Sequence, residues 1–293
     1  MATRLQIPKM YKLFIGGKFT RTESERYYEA KNPKTKEKIC NVSLASRKDL
    51  RNAVVEARNS LSTWSLKTHY ERGQILYRFA EMLEGRKEQF IEEIYVSTKQ
   101  SKSQCKKEVT TAIDRMVFYA GFCDKWIQLS GTVNPVQKGY FNFSIPEPTG
   151  VVGIILPDTL SFLPIVSRIA VVTGSGNTCI ILTNENSPLP SLTLSEVIAT
   201  SDFTAGTINI LTGYKKELVS HLAGHYDINA VDFCENTNKN KKQIQELCAN
   251  NVKRFKELKE NTKWDWYDDK INETLYEIEK FIEIKTVWHT MGM

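Results

Sequence analysis

The sequence of 293 residues has no apolar run long enough to cross a membrane. A membrane-spanning helix needs about 18 consecutive apolar residues, and no segment here approaches that length. Residues 1–14 also lack the apolar core that defines a secretory signal peptide. We therefore expect a cytoplasmic protein with no membrane partner.

The chain also lacks any C-x-x-C pair, which argues against a zinc knuckle or a redox dithiol. Its six cysteines are scattered, and we expect them to be reduced thiols in the cytosol. The net charge is only +6 and spread along the chain, which does not by itself indicate a nucleic-acid partner.

Short apolar segments alternate with helical patterns in the middle of the chain. Val151–Leu156 is a continuous apolar run of the kind buried on both faces of a sheet, and Thr178–Leu182 is a second apolar strand. Two further strands are predicted at Ile208–Leu211 and Ile228–Phe233. The connections between them are short and helical, which predicts an α/β fold with a Rossmann-like, doubly wound parallel sheet.

The first third of the chain is predicted to be mainly helical. Ser46 and Asp49 form a helix-start signal, and two short strands are predicted around Gly16-Gly17. The Gly174-Ser175-Gly176 triplet precedes a strand, which is the wrong order for a phosphate-binding fingerprint. We interpret it as the end of a helix.

Several motifs together resemble the aldehyde dehydrogenase superfamily. They keep the order that they have in that family from Leu13 to about Phe255, and the resemblance resumes near Phe281. The matching segments are Asn32-Pro33-Lys34-Thr35, Tyr119-Ala120-Gly121-Phe122-Cys123-Asp124-Lys125, Pro146-Glu147-Pro148-Thr149-Gly150-Val151-Val152-Gly153, Gly176-Asn177-Thr178 and Ala205-Gly206-Thr207-Ile208-Asn209.

The resemblance implies a domain organisation. Residues 11–260 correspond to the coenzyme-binding domain, and residues 130–148 within them contribute to a small β oligomerisation element. Residues 264–293 correspond to a C-terminal helix and the oligomerisation strand. We expect the catalytic domain to be absent, an arrangement similar to the degenerate second domain of family 16 aldehyde dehydrogenases.

The positions that hold the coenzyme in this family are altered. The family's Lys-Pro-x-Glu corresponds to Leu182-Thr183-Asn184-Glu185, so Glu185 remains but Leu182 cannot donate a hydrogen bond. The family's Phe-Thr-Gly-Ser corresponds to Phe233-Cys234-Glu235-Asn236, which puts the Glu235 carboxylate where phosphates would lie and offers Glu235 or Asn236 as a helix cap. We expect no cofactor, although the family implies NAD(P).

The catalytic positions are altered as well. Thr159 occupies the position of the family's oxyanion-stabilising Asn. Glu257 occupies the position of its general base in a lysine-rich stretch that is predicted to be helical, and no cysteine nucleophile follows Cys248. We predict that Thr159 and Glu257 are both inactive.

Three other features have simpler interpretations than a functional one. His221 and His225, with Asp227 nearby, have a spacing that can bind zinc, but they resemble an ordinary family loop, and we expect no metal. The basic segment 237–263 is interpreted as a solvated helix face. The aromatic residues of this region indicate either packing at a domain junction or an interface anchor, and these residues are Trp264, Trp266 and Tyr267.

The leading hypothesis is therefore a non-catalytic structural module that pairs with a copy of itself or with an aldehyde dehydrogenase catalytic domain. The alternative is an NAD(P)-dependent oxidoreductase acting on aldehydes, weakly active or part of a longer chain. A nucleic-acid or membrane-surface adaptor is disfavoured. The residues predicted to make the pairing are Phe281, Ile282, Ile284, Val287 and Trp288.

Overall fold

The computed structural model describes residues 9–235, 241–258 and 264–291, and a seven-stranded sheet forms its centre. Five neighbouring strands run parallel, and an antiparallel hairpin extends one edge. In spatial order the strands are β12 (Arg254–Glu257), β11 (Ala230–Phe233), β8 (Val151–Ile155), β9 (Thr178–Leu182), β10 (Ile208–Leu211), β2 (Leu13–Ile15) and β3 (Lys18–Thr20).

This sheet confirms the predicted fold class. Every residue of β8 and β9 is buried, because helices cover both faces of the sheet. The strand order reverses at β8, with β9 and β10 on one side and β11 and β12 on the other. The arrangement is therefore doubly wound, as the alternation of strands and helices predicts.

The helices form two layers, one on each face of the sheet. One core contains side chains from α2, α3, α4, α6 and α7, and the other contains side chains from α1, α8 and α9. The helices are α1 (Arg47–Ser65), α2 (His69–Gly85), α3 (Lys87–Ser97), α4 (Lys102–Phe122), α5 (Trp126–Ser130), α6 (Leu163–Gly174), α7 (Leu189–Thr200), α8 (Lys215–Gly224), α9 (Lys241–Ala249), α10 (Asp269–Asn272) and α11 (Leu275–Glu279).

Local start and stop signals are confirmed where they were predicted. The Ser46 side chain accepts a hydrogen bond from the Asp49 N–H, and the Asp49 carboxylate accepts one from the Ser46 N–H, so the capping box starts α1. α6 ends at Gly174, and Gly176 adopts a φ of 91°, which glycine tolerates best.

Two smaller sheets lie beside the main one. The first was not predicted, because its strands are short and only part of each is buried, so their periodicity is weak. The second contains the C-terminal strand, which pairs with β7 along its whole length. In spatial order, the first sheet contains β1 (Met10–Tyr11), β5 (Lys38–Ser43) and β4 (Tyr27–Lys31). The second contains β13 (Ile282–Thr290), β7 (Tyr140–Pro148) and β6 (Thr132–Asn134).

The basic segment differs from its helical prediction. Its part from 241 to 249 is helix α9, but Arg254–Glu257 is the edge strand β12, because pairing with β11 and the contact of Phe255 with Phe233 override local helix propensity. Residues 237–240 and 259–263 of this segment lie outside the described residues. The single helix predicted near 271–280 is also wrong, since α10 and α11 are separate.

A buried arginine joins the C-terminal segment to the main sheet. Arg168 of α6 donates to Asp232 of β11 at 2.5 Å and to Glu277 of α11 at 2.6 Å. All three side chains are at least 95% buried. Burial alone raises the pKa of Glu277, but the ion pairs with Arg168 and Lys280 outweigh it and leave that pKa below its usual value.

A second buried arginine holds the same segment against α4. Arg115 donates to Glu273 at 3.0 Å and to Asp269 at 2.8 Å, and it also contacts the backbone of Trp266. Trp264 and Trp266 are buried in the larger core, and Tyr267 packs against it. Of the two interpretations left open for these aromatic residues, packing within the chain is therefore correct.

We predict that Arg168→Ala lowers the free energy of unfolding by about 3–5 kcal/mol, because it leaves the carboxylates of Asp232 and Glu277 buried without their cation. Urea denaturation of the full chain measures this change. The control is Arg78→Ala, which breaks the exposed pair with Asp202 and should cost at most about 1 kcal/mol. Equal losses in the two variants would contradict a central role for Arg168.

The six cysteines are all buried and unpaired. Burial raises the pKa of Cys40 and of Cys248 to about 11, and that of Cys123 to about 12. The thiolate is the reactive form of cysteine. We therefore predict that the folded chain does not react quickly with a thiol reagent such as DTNB near pH 8, a pH at which an ordinary exposed thiol, with its pKa of about 8.5, is partly ionised. All six thiols should react after denaturation. One fast equivalent in the folded chain would reveal an accessible, activated cysteine.

Candidate functional site

The carboxyl ends of β8, β9 and β11 meet where the strand order reverses. Doubly wound proteins bind their ligands in the crevice outside such a point. Here each of the three strands is followed by an acidic residue. Asp158 follows β8, Glu185 follows β9 and Glu235 follows β11.

The side chain of Lys215, the first residue of α8, lies in this crevice and is 9% exposed. Its Nζ donates to Glu235 Oε1 at 2.6 Å and to the Leu156 carbonyl oxygen at 2.6 Å. The Asp158 carboxylate lies 3.0 Å from the same nitrogen. The ammonium therefore uses its hydrogen-bonding capacity on the chain itself.

Glu185 is also engaged with the chain. One of its carboxylate oxygens accepts a hydrogen bond from the Lys215 backbone N–H, at the start of α8. Its own N–H donates to Asp158 Oδ1 at 2.9 Å. A carboxylate is favourable at a helix N-terminus, where free N–H groups and the helix dipole attract negative charge. Glu185 thus holds the backbone of Lys215, whose side chain lies in the crevice.

The electrostatics of this cluster oppose a bound phosphate. One ammonium faces the carboxylates of Asp158 and Glu235, so the cluster formed by these two residues and Lys215 has a net negative charge. A unit negative charge about 4 Å from a carboxylate is disfavoured by about 4 kcal/mol in a partly buried setting. A phosphate at this position would also have to displace the Lys215 ammonium.

The remaining predicted coenzyme positions have mixed outcomes. Leu182 is buried at the end of β9 and offers no polar group. Glu235 does lie at the end of β11, where it makes the ion pair with Lys215. The predicted helix cap stays untested, because residues 236–240 before α9 lie outside the described residues. Asn236 lies outside the described residues.

The predicted catalytic positions lie at or after the ends of two parallel strands of the sheet, β8 and β12. Thr159 is exposed in the loop after β8. Glu257 is the last residue of β12, which corrects its helical prediction, and its carboxylate pairs with Lys241 at 2.6 Å. Within the described residues, no hydrogen bond or ion pair joins Thr159 to Glu257.

Neither Lys215 nor Asp158 is among the site residues that the sequence analysis singled out. A usable signal was present, because Lys215 opens the helix that follows a buried strand and its turn. At the carboxyl edge of a doubly wound sheet, a cation at the first position of a helix lies within reach of the neighbouring strand ends.

The histidine pair does not form a metal site with its neighbours. Across the ranges that the structure covers, no group of three or more His, Cys, Asp or Glu side chains could hold a metal ion. The same ranges contain no helix that could span a membrane.

Comparison with known proteins agrees with this architecture. The family model described as "Aldehyde dehydrogenase family" matches residues 19–258. A putative aldehyde dehydrogenase of Bacillus subtilis is 30% identical over 83% of this chain and 49% of its own length. Human retinal dehydrogenase 2 is 32% identical over 84% of this chain and 48% of its own length.

Solved structures give the same result. An aldehyde dehydrogenase of Bacillus cereus in complex with NAD+ superposes with a TM-score of 0.81 at 24% identity, over 85% of this chain and 50% of that one. A putative aldehyde dehydrogenase of Burkholderia cenocepacia has a TM-score of 0.81 at 27% identity, over 84% of this chain and 50% of its own. The chain spans about half the length of these relatives, and it belongs to the aldehyde dehydrogenase family.

Proposed function

We propose that this chain is a non-catalytic aldehyde dehydrogenase domain whose coenzyme crevice is closed by its own lysine. The observation that carries the proposal is the Lys215 ammonium, which bonds to the end of β8 and to Glu235. In the proposed state the domain has a structural role beside a catalytically competent aldehyde dehydrogenase.

The chemistry of the crevice supports the exclusion of NAD(P). Dinucleotide sites rely on small residues and free backbone N–H groups that approach the pyrophosphate closely. Here a buried side chain occupies the point where the strand order reverses, and Glu185, which the family uses for the coenzyme, is bound to the start of α8. Both features leave little room for a dinucleotide and little affinity for its charge.

The alternative is an NAD(P)-dependent oxidoreductase that acts on aldehydes as part of a longer chain. The fold of the NAD+-bound Bacillus cereus enzyme favours it. This alternative requires the ion pairs of Lys215 to break before the coenzyme binds. A measurement of coenzyme affinity therefore separates the two functions.

The structural role is proposed to use the open edge of β13. The Phe281 carbonyl oxygen accepts a hydrogen bond from the Thr149 N–H. Along an antiparallel pair, residues that hydrogen-bond to the partner strand alternate with residues whose N–H and C=O groups point away from it. Ile282 belongs to the second set, because its carbonyl oxygen accepts a hydrogen bond from Arg254 and not from β7. Ile284, which lies opposite Pro146, is two residues further along and belongs to the same set. The N–H and C=O groups of Ile284 therefore point to the unpaired edge.

The side chains on β13 favour pairing with another chain. Ile284 and Trp288 are 56% and 63% exposed. The two charged side chains that would repel a partner are neutralised, since Glu283 pairs with Arg254 and Lys285 with Glu147. An exposed strand without free charges is a ready template for strand addition.

The predicted contact set is narrower than the sequence indicated. Phe281 and Ile282 are buried in the chain's own core, so they are unavailable to a partner. Val287 is half-buried, and Ile284 and Trp288 remain as the exposed apolar side chains of the edge. We propose that a second copy of the chain, or an aldehyde dehydrogenase catalytic domain, pairs with this edge.

We predict that the unmodified chain shows no saturable change of tryptophan fluorescence with NAD up to about 1 mM, the upper end of common substrate affinities. The double variant Lys215→Gly/Glu235→Gly should bind NAD measurably, because it removes both the ammonium and a carboxylate from the crevice. Isothermal titration calorimetry checks both results.

The control for this prediction is Arg26→Gly/Glu217→Gly, which removes the exposed ion pair between Arg26 and Glu217 of the same helix and leaves the crevice unchanged. It should behave like the unmodified chain. Micromolar affinity of the unmodified chain for NAD would overturn the proposal in favour of the oxidoreductase. A double variant that folds and still does not bind would show that Lys215 is not what excludes the coenzyme.

We predict that the chain sediments as a dimer and that Ile284→Pro converts it to a monomer, because proline removes the outward N–H. The inner pairing with β7 should persist, since the Ile284 N–H does not take part in it. Analytical ultracentrifugation measures the mass, and circular dichroism verifies the fold.

Ile284→Ala is the matched control, since it keeps the backbone donor and removes most of the side chain. A dimer in Ile284→Ala and a monomer in Ile284→Pro would support backbone pairing. If Ile284→Pro remained a dimer, the edge of β13 would not be the interface. A monomeric unmodified chain that binds a catalytic aldehyde dehydrogenase domain through this edge would select the second partner.

A further inference from the structure

A basic groove runs between α1 and α8 on the surface of the smaller core layer. It encloses a cavity of about 570 Å³. Arg47, Lys48 and Arg51 line it from α1, and His221 and His225 line it from α8 and the residue that follows. Leu50, Ser220 and Gly224 also line it.

Two of these cations have no acidic partner. Within the described ranges, the side chains of Arg47 and Arg51 make no ion pair or hydrogen bond, whereas Lys48 pairs with Glu23 at 2.6 Å. Arg47 and Arg51 are four residues apart in α1, where like charges repel each other. Arg47 is also in the first helical turn, where the helix dipole disfavours a cation. The pair therefore opposes the local stability of α1.

The pKa values of both histidines in the groove are lowered, mainly by burial. Burial lowers the pKa of His221, and the charge of Arg47 lowers it further. Burial also lowers the pKa of His225, with added contributions from Lys253 and Arg51 that the carboxylate of Asp227 partly offsets. Both imidazoles can therefore be neutral hydrogen-bonding groups beside the two free guanidinium groups.

An aromatic side chain, that of Tyr226, also lines the groove. Tyr226 follows His225 and is 77% exposed. An exposed ring beside free cations is the combination on which a nucleobase stacks while its phosphates bind guanidinium groups. The cavity falls within the size range of small-molecule sites.

We propose that this groove binds a free nucleotide, with Arg47 and Arg51 on its phosphates and Tyr226 against its base. The site is separate from the closed crevice, because Lys215 lies at the start of α8 whereas the groove follows the side of α8 that faces α1. It does not depend on the proposed exclusion of NAD.

The test uses the full chain and two probes, ATP and inorganic triphosphate, in isothermal titration calorimetry. Both should bind, and Arg47→Gln/Arg51→Gln should weaken each at least about tenfold, which corresponds to about 1.4 kcal/mol. Tyr226→Ala should weaken ATP alone, since triphosphate has no base to stack.

The matched control is Lys18→Gln/Arg21→Gln, which removes two exposed cations near β3 and changes the net charge equally. It should leave both affinities unchanged. Equal losses in the two double variants would reduce the binding to general electrostatics and overturn the proposal, as would the absence of binding to the unmodified chain. Much tighter binding of a short single-stranded RNA, with steep salt dependence, would overturn the assignment to a free nucleotide.

Discussion

The buried ion cluster of Arg168 is the constraint on which the rest of the architecture depends. It joins a helix of the larger layer, a central strand and the C-terminal segment through Asp232 and Glu277. A buried guanidinium is tolerated only where carboxylates meet it with good geometry. The three elements must therefore assemble together, and their assembly fixes where β13 begins and which of its edges is left open.

The central layers could be predicted from the sequence because their signals are local and strong. Continuous apolar runs such as Val151–Leu156 and Thr178–Leu182 coincide with buried strands. The Ser46 and Asp49 capping box starts a helix where it was expected. The resemblance of the ordered motifs to one family was also confirmed.

What could not be predicted depends on contacts between distant residues. The stretch Arg254–Glu257 has the composition of an exposed helix, yet it is a strand because β11 offers an unpaired edge. The role of Lys215 follows from its distance to Glu235, which is 20 residues away in sequence. Neither property can be read from the neighbouring residues alone, and the place of Lys215 could be inferred only by combining its position at a helix start with the doubly wound sheet.

The proposed closure of the crevice by Lys215 also bears on what sets the stability of the domain. A protein that binds a coenzyme is stabilised by mass action, and its stability rises and falls with the concentration of that coenzyme. The Lys215 ammonium is an intramolecular ligand, covalently attached to the helix that it anchors. Its occupancy is independent of metabolite levels. Under the proposed exclusion of NAD(P), the free energy of unfolding would therefore not vary with the supply of coenzyme around the domain.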